Sequence, residues 1–253
     1  MYQEKDIFSR NELLIGAKAM DKISKSRVLL FGVGGVGSWC AEGLTRAGIA
    51  YLTLVDSDFI SPSNINRQLP ATTETVGKIK VDVLKERLLT INPRANISTM
   101  QVAYTVETNH LFQLDTYDYI IDAIDSLEHK ASLILHATRT DATLFSSMGA
   151  ALKLDASHIR SAEFWKVQGC PLAAALRRRF KKSEMPAKKF LCVYSDEVLD
   201  NKGASIDASI MQSTWDGRKA CINGAMVHIT AIFGFTLAGL LIQNIINSQN
   251  ISL

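Results

Sequence analysis

The chain of 253 residues contains no Cys-x-x-Cys pair, and its four cysteines (Cys40, Cys170, Cys192 and Cys221) stand far apart. That spacing argues against a zinc knuckle and, more strongly, against a disulfide framework. Aromatic residues are sparse at 8%, but 47% of the chain is hydrophobic and 21% charged, which excludes a disordered or fibrous protein. There is neither an internal repeat nor a low-complexity linker. The opening MYQEKDIFSRNELL lacks the apolar run of a secretory signal, so a reducing, cytoplasmic setting is expected.

Charge is missing from one end. Residues 220–253 contain no Asp, Glu, Lys or Arg, and 225–242 is an apolar stretch broken by His228, Thr230, Thr236 and small residues. About 20 apolar residues suffice to cross a bilayer. A buried helix, in the core or at a dimer interface, is the favoured expectation; membrane contact through 225–242 is the less favoured one.

The net charge of +3 conceals an asymmetry. Residues 151–190 hold ten basic and three acidic side chains, whereas the rest holds 18 basic and 22 acidic. The excess peaks at Arg177, Arg178, Arg179, Lys181, Lys182, Lys188 and Lys189. Such a cluster attracts polyanions, as in a nucleic-acid patch, or else forms a solvated helix face.

Short apolar runs alternate with helical spacing. Strands are expected at 28–31, 51–55, 97–102, 119–121 and 142–146, and helices at 10–23, 36–47, 76–89 and 129–140. This alternation predicts an α/β fold: a Rossmann-like, mostly parallel sheet with helices on both faces, extended by a C-terminal α/β portion. We expect one domain over 1–253, with an N-terminal arm (1–25), a nucleotide-binding core (26–150) and a substrate-facing, dimerising remainder (151–253).

Gly32-x-Gly34-Gly35-x-Gly37 lies between a strand and a helix. Glycines there permit a tight turn and let backbone N–H groups approach a phosphate at the helix N-terminus. Asp56 ends the second strand, where a carboxylate can accept from ribose hydroxyls. The loop alone is shared with NAD-binding oxidoreductases. Arg67, Lys80 and Asp125 point elsewhere. Attack of a carboxylate on an α-phosphate builds charge that an Arg clamp and a Lys can neutralise, and Asp125, at a strand's C-terminal end, can hold Mg²⁺.

Together, Gly32-x-Gly34-Gly35-x-Gly37-Ser38, Asp56-x-Asp58, Ser63-Asn64-x-x-Arg67-Gln68, Gly77-x-x-Lys80 and Asp125-Ser126 resemble the E1-like superfamily of ATP-dependent adenylating enzymes. The resemblance implies that Asp56 binds the ribose, that Asn64, Arg67 and Lys80 hold the triphosphate with Gln68 in support, and that Asp125 holds Mg²⁺. Asp58 and Ser126 belong to the same nucleotide motifs. It also implies a homodimer in which Arg10 reaches the partner's ATP.

Later segments, 149–155, 170–179 and 190–197, are similar to the tRNA threonylcarbamoyladenosine dehydratase branch, which cyclises a modified adenosine at position 37 of tRNA. The resemblance implies adenylation of the threonyl carboxylate, then intramolecular ring closure with loss of AMP. It places the tRNA-facing region at 172–179, so Arg177, Arg178, Arg179, Lys181 and Lys182 are the expected tRNA contacts. Two alternatives stay open, a sulfur-carrier adenylyltransferase and an NAD-binding oxidoreductase. So do a sulfur-transfer or sulfur-acceptor partner and a thioester-forming cysteine.

Overall fold

The computed structural model describes residues 6–202 and 223–248. Arg218, Lys219 and Cys221 therefore lie outside the described residues. One seven-stranded sheet organises the chain, in the order β3-β2-β1-β4-β5-β7-β6. The strands are β1 (Arg27–Phe31), β2 (Tyr51–Val55), β3 (Asn96–Met100), β4 (Tyr119–Asp122), β5 (Thr143–Ser147), β6 (Ile159–Glu163) and β7 (Leu191–Ser195). All neighbours pair in parallel except the edge strand β6, which runs antiparallel to β7.

Alternation along the strands feeds two cores. Val28, Leu30, Leu52, Leu54 and Ile121 point into one; Leu29, Phe31, Val55 and Ile120 point into the other. A strand with both faces covered must be apolar at successive positions, and this is why these runs read as continuous apolar segments rather than alternating ones.

The helices are α1 (Ser9–Ile15), α2 (Ala17–Lys25), α3 (Gly37–Ala47), α4 (Lys80–Ile91), α5 (Leu127–Ala137), α6 (Pro171–Lys182) and α7 (Val227–Asn247). Two differ from the sequence expectation. The helix expected over 10–23 is split at Gly16, which has φ 81° and caps α2. The helix expected over 76–89 starts at Lys80, because 75–78 forms a turn and Phe59 pairs with Ile79.

The apolar tail packs as a core helix. Ile229, Phe233, Leu237, Leu241 and Ile245 on α7 have no exposed surface. Gly234 lets α7 approach α3: a Cβ there would meet the Val36 carbonyl at 2.5 Å. The outer face keeps Ile232 and Phe235 exposed.

Candidate nucleotide-binding site

Strand order reverses between β1 and β4, which opens a crevice beyond their C-terminal ends, the position where such sheets bind ligands. The residues of every nucleotide motif lie around it.

The glycine loop follows β1. Gly32 has φ 84°, and a Cβ on it would lie 2.7 Å from the Ala123 carbonyl oxygen; a Cβ on Gly37 would lie 1.8 Å from the Gly32 oxygen. The turn folds so tightly onto itself and onto the segment after β4 that a side chain at either position would clash. Ser38 braces it, donating to the Gly34 carbonyl (2.6 Å) and accepting from the Leu69 N–H (3.2 Å).

Asp56 follows β2. Its carboxylate accepts from the Val33 N–H (2.8 Å) and the Asp58 N–H (2.9 Å), which ties it to the glycine loop. Burial raises the Asp56 pKa, and the nearby Lys80 charge is the largest opposing influence. Lys80, the first residue of α4, is 5% exposed. Its Nζ lies 2.8 Å from Asp58 Oδ2.

Residues 61–70 bring the remaining groups. Asn64 is buried, and its Oδ1 accepts from the Ser61 N–H (3.0 Å). The Arg67 guanidinium donates to the Ser63 carbonyl (2.9 Å) and Asn66 Oδ1 (2.8 Å), and its Cγ lies 3.4 Å from where a Gly35 Cβ would stand. Burial lowers the Arg67 pKa while the Asp125 carboxylate opposes that shift, so Asp125 lies within electrostatic reach of Arg67. Gln68 is 7% exposed, with Nε2 3.7 Å from the place of a Gly34 Cβ and a buried Oε1 that has no hydrogen-bond partner. An orphaned acceptor beside a phosphate loop fits a nucleotide that supplies the missing donor.

Asp125 is exposed on the segment between β4 and α5, and Ser126 caps α5. Among the described residues no group of three or more His, Cys, Asp or Glu is placed to hold a metal ion. A lone carboxylate fits Mg²⁺, which commonly takes one or two protein carboxylates and completes its shell with phosphate oxygens and water.

Arg10 stands outside the buried core of its own chain. It is exposed on α1, a helix none of whose residues is buried. Leu13 and Leu14 beside it are 87% and 79% exposed.

The basic segment divides. Arg177 is committed to the fold: it donates to the Phe164 and Val167 carbonyls (3.2 and 2.8 Å) and stacks on the Phe164 ring. Lys188 donates to the Thr140 and Ala142 carbonyls, both at 2.6 Å. Arg178, Arg179 and Lys182 instead line, with Leu127 and Ser183, a cavity of about 390 Å³. Leu127, which lines this cavity, is the residue after the Asp125-Ser126 motif. Lys181 is exposed on α6.

One contributing pair lay outside the motifs. Asp122 and Lys130 form a fully buried ion pair (2.7 Å) behind the segment after β4. A signal existed, because Lys130 shares a helical stripe with Leu133, Ile134 and Ala137 and so had to be buried with a partner. Cys40, Cys170 and Cys192 are buried, and burial pushes the thiols of Cys40 and Cys192 upward, away from thiolate reactivity.

A family model described as "ThiF family" matches residues 8–252. The tRNA threonylcarbamoyladenosine dehydratase of Bacillus subtilis is 40% identical over 190 residues, covering 75% of this chain and 74% of that one. Crystal structures of the Escherichia coli tRNA N6-threonylcarbamoyladenosine dehydratase in complex with ATP and with AMP superpose with a TM-score of 0.84 at 31% identity, covering 96% of this chain and 95% of theirs. A sulfur carrier protein adenylyltransferase of Thermus thermophilus is 32% identical, but over 49% of this chain only.

Proposed function

This chain belongs to the ThiF family, and on that premise we propose that it is an adenylating enzyme of the ligase type, a tRNA threonylcarbamoyladenosine dehydratase that spends ATP to cyclise the modified adenosine at position 37. The observation that carries the proposal is the match, over nearly the whole of both chains, to a dehydratase seen with ATP and with AMP.

The threonyl carboxylate attacks the α-phosphate. A carboxyl oxygen–phosphorus bond forms, and the bond to pyrophosphate breaks. Arg67 and Lys80 neutralise charge on the phosphorus oxygens and the departing pyrophosphate, and Asp56 accepts from the ribose. Asn64, Gln68 and the Gly32, Gly34, Gly35 and Gly37 turn complete the pocket with Asp58 and Ser126. Asp125 would hold Mg²⁺, whose charge would further neutralise the phosphates. A nitrogen or oxygen of the neighbouring ureido group then attacks the acyl carbon, loses its proton and expels AMP. The second step is intramolecular, so orientation and water exclusion suffice.

Arg178, Arg179 and Lys182, with Lys181, are the tRNA contacts this reading favours, because they are exposed basic groups and the first three share a cavity with Leu127, the residue after Ser126. The exposed leucines of α1 support a homodimer in which Arg10 completes the partner's site. Action on tRNA is consistent with a cytoplasmic enzyme. A sulfur-carrier adenylyltransferase has weaker support, since that relative covers under half the chain. Incubation with ATP, Mg²⁺ and tRNA tests the reading: AMP release that requires tRNA is expected. Release that requires a carrier protein instead, or nicotinamide binding without ATP turnover, would contradict it.

A further inference from the structure

We propose that Asp122, clamped by Lys130 and Ser146, is a positioning residue that sets the segment carrying Asp125 against the glycine loop. The inference rests on the crevice binding ATP, and it assigns a role to a buried pair that never meets the nucleotide.

Asp122 ends β4 and has no exposed surface; Lys130 on α5 has none either. One carboxylate oxygen accepts from Lys130 Nζ (2.7 Å) and from Ser146 Oγ of β5 (2.6 Å). The other accepts from the Ile124 N–H (3.1 Å). Ile124 and Ala123 form the wall that the glycine loop touches, as the Ala123 carbonyl and Ile124 nitrogen lie 2.7 and 3.4 Å from the place of a Gly32 Cβ. The Ala123 N–H in turn donates to the Phe31 carbonyl at the end of β1 (2.8 Å).

The ion pair thus closes a loop of nine residues, Asp122 to Lys130. Asp125 and Ser126 lie inside it, and the Lys130 N–H donates to the Ser126 carbonyl (2.9 Å), which fixes the first turn of α5. Stability alone is a poor reason for the arrangement, because a buried pair can often be replaced by apolar residues without loss. What an apolar pair cannot do is accept the Ile124 N–H and hold this segment in one register. Specification of geometry is the use that accounts for all three hydrogen bonds.

The experiment separates geometry from stability. Thermal unfolding and calorimetric binding of ATP with Mg²⁺ are measured on the parent, on Asp122→Leu/Lys130→Met and on Asp122→Asn/Lys130→Met. The Leu/Met protein should stay folded, unfolding somewhat below the parent because the Ile124 N–H and the Ser146 hydroxyl lose their acceptor, but bind ATP about 10-fold or more weakly, the scale on which outer-shell partners act. The Asn/Met protein, which keeps an acceptor for the Ile124 N–H, should recover part of that affinity. A folded Leu/Met protein with the parent's affinity would overturn the inference. If that protein does not fold, Ser146→Ala decides. Loss of one hydrogen bond on Asp122 should weaken ATP binding by about 3- to 10-fold in a folded protein, and unchanged affinity would overturn the inference. A parent that binds no ATP would instead refute the reading of the crevice itself.

Discussion

Lys80 Nζ sits 2.8 Å from Asp58 Oδ2, with the lysine side chain 6% exposed and the carboxylate 60% exposed. The cation is buried and its tether is exposed. On the proposed reading the lysine meets the phosphates, and Asp58 keeps its ammonium extended.

Lys80→Ala should slow AMP formation by about 10²–10³-fold, the scale of one lost charge-stabilising contact. Asp58→Ala should cost less, because the lysine keeps its charge and loses only its tether. Steady-state rates of AMP release check the order. Equal losses, or none, would contradict it.

Arg67→Ala should cost about 10²-fold, and Arg67→Lys should recover only part of that, because an ammonium cannot reproduce a bidentate guanidinium fork. Full activity in the lysine variant would remove the bidentate clamp from the account.

Arg177 and Arg178 are neighbours in sequence with opposite predicted phenotypes. Arg177→Ala takes the guanidinium from the Val167 carbonyl and from the Phe164 carbonyl, which keeps only the Val167 N–H at 3.3 Å, so stability should fall by about 1–3 kcal/mol, with tRNA affinity per folded molecule near the parent's. Arg178→Ala should leave the melting temperature unchanged and weaken tRNA binding. Its log affinity against log salt slope should flatten by about 0.7–0.9 for one lost phosphate contact. Thermal melts and binding at several salt concentrations distinguish the two.

His158 Nδ1 lies 2.7 Å from Asp196 Oδ1. This hydrogen bond raises the His158 pKa above its ordinary 6.5 and lowers that of Asp196 below its ordinary 3.8. The raised histidine pKa stabilises the fold fully below pH 6.5 and loses that contribution as pH rises through the folded value. The lowered carboxyl pKa acts in the other direction, contributing above pH 3.8 and fading as pH falls through its folded value. The melting temperature of the parent should therefore exceed that of His158→Gln most at about pH 5, and the gap should narrow as pH rises through the raised histidine pKa. A gap that widened with rising pH would contradict the pairing.

Much of this was legible in the sequence, for identifiable reasons. The glycine turn, Asp56 and the strands around them follow from local spacing, because a doubly covered parallel strand and a phosphate loop each impose a residue pattern. Helix α4 starts four residues later than the spacing predicts, because the turn over 75–78 continues the apolar spacing without being helical. The fate of Arg177 was illegible, since nothing local distinguishes it from Arg178. Only the tertiary approach of the Phe164 and Val167 carbonyls does so. The bond from Asp122 to the Ile124 N–H was hidden for the same reason, as it requires β4, β5 and α5 to be assembled first.

The central claim is that the tRNA-borne carboxylate is adenylated in this crevice. Substrate tRNA carrying heavy oxygen in the threonyl carboxylate tests it most directly, with the released AMP analysed by mass spectrometry. The account predicts one heavy oxygen in the AMP phosphate for each ring closed. Ring closure that yields unlabelled AMP, or none, would contradict it.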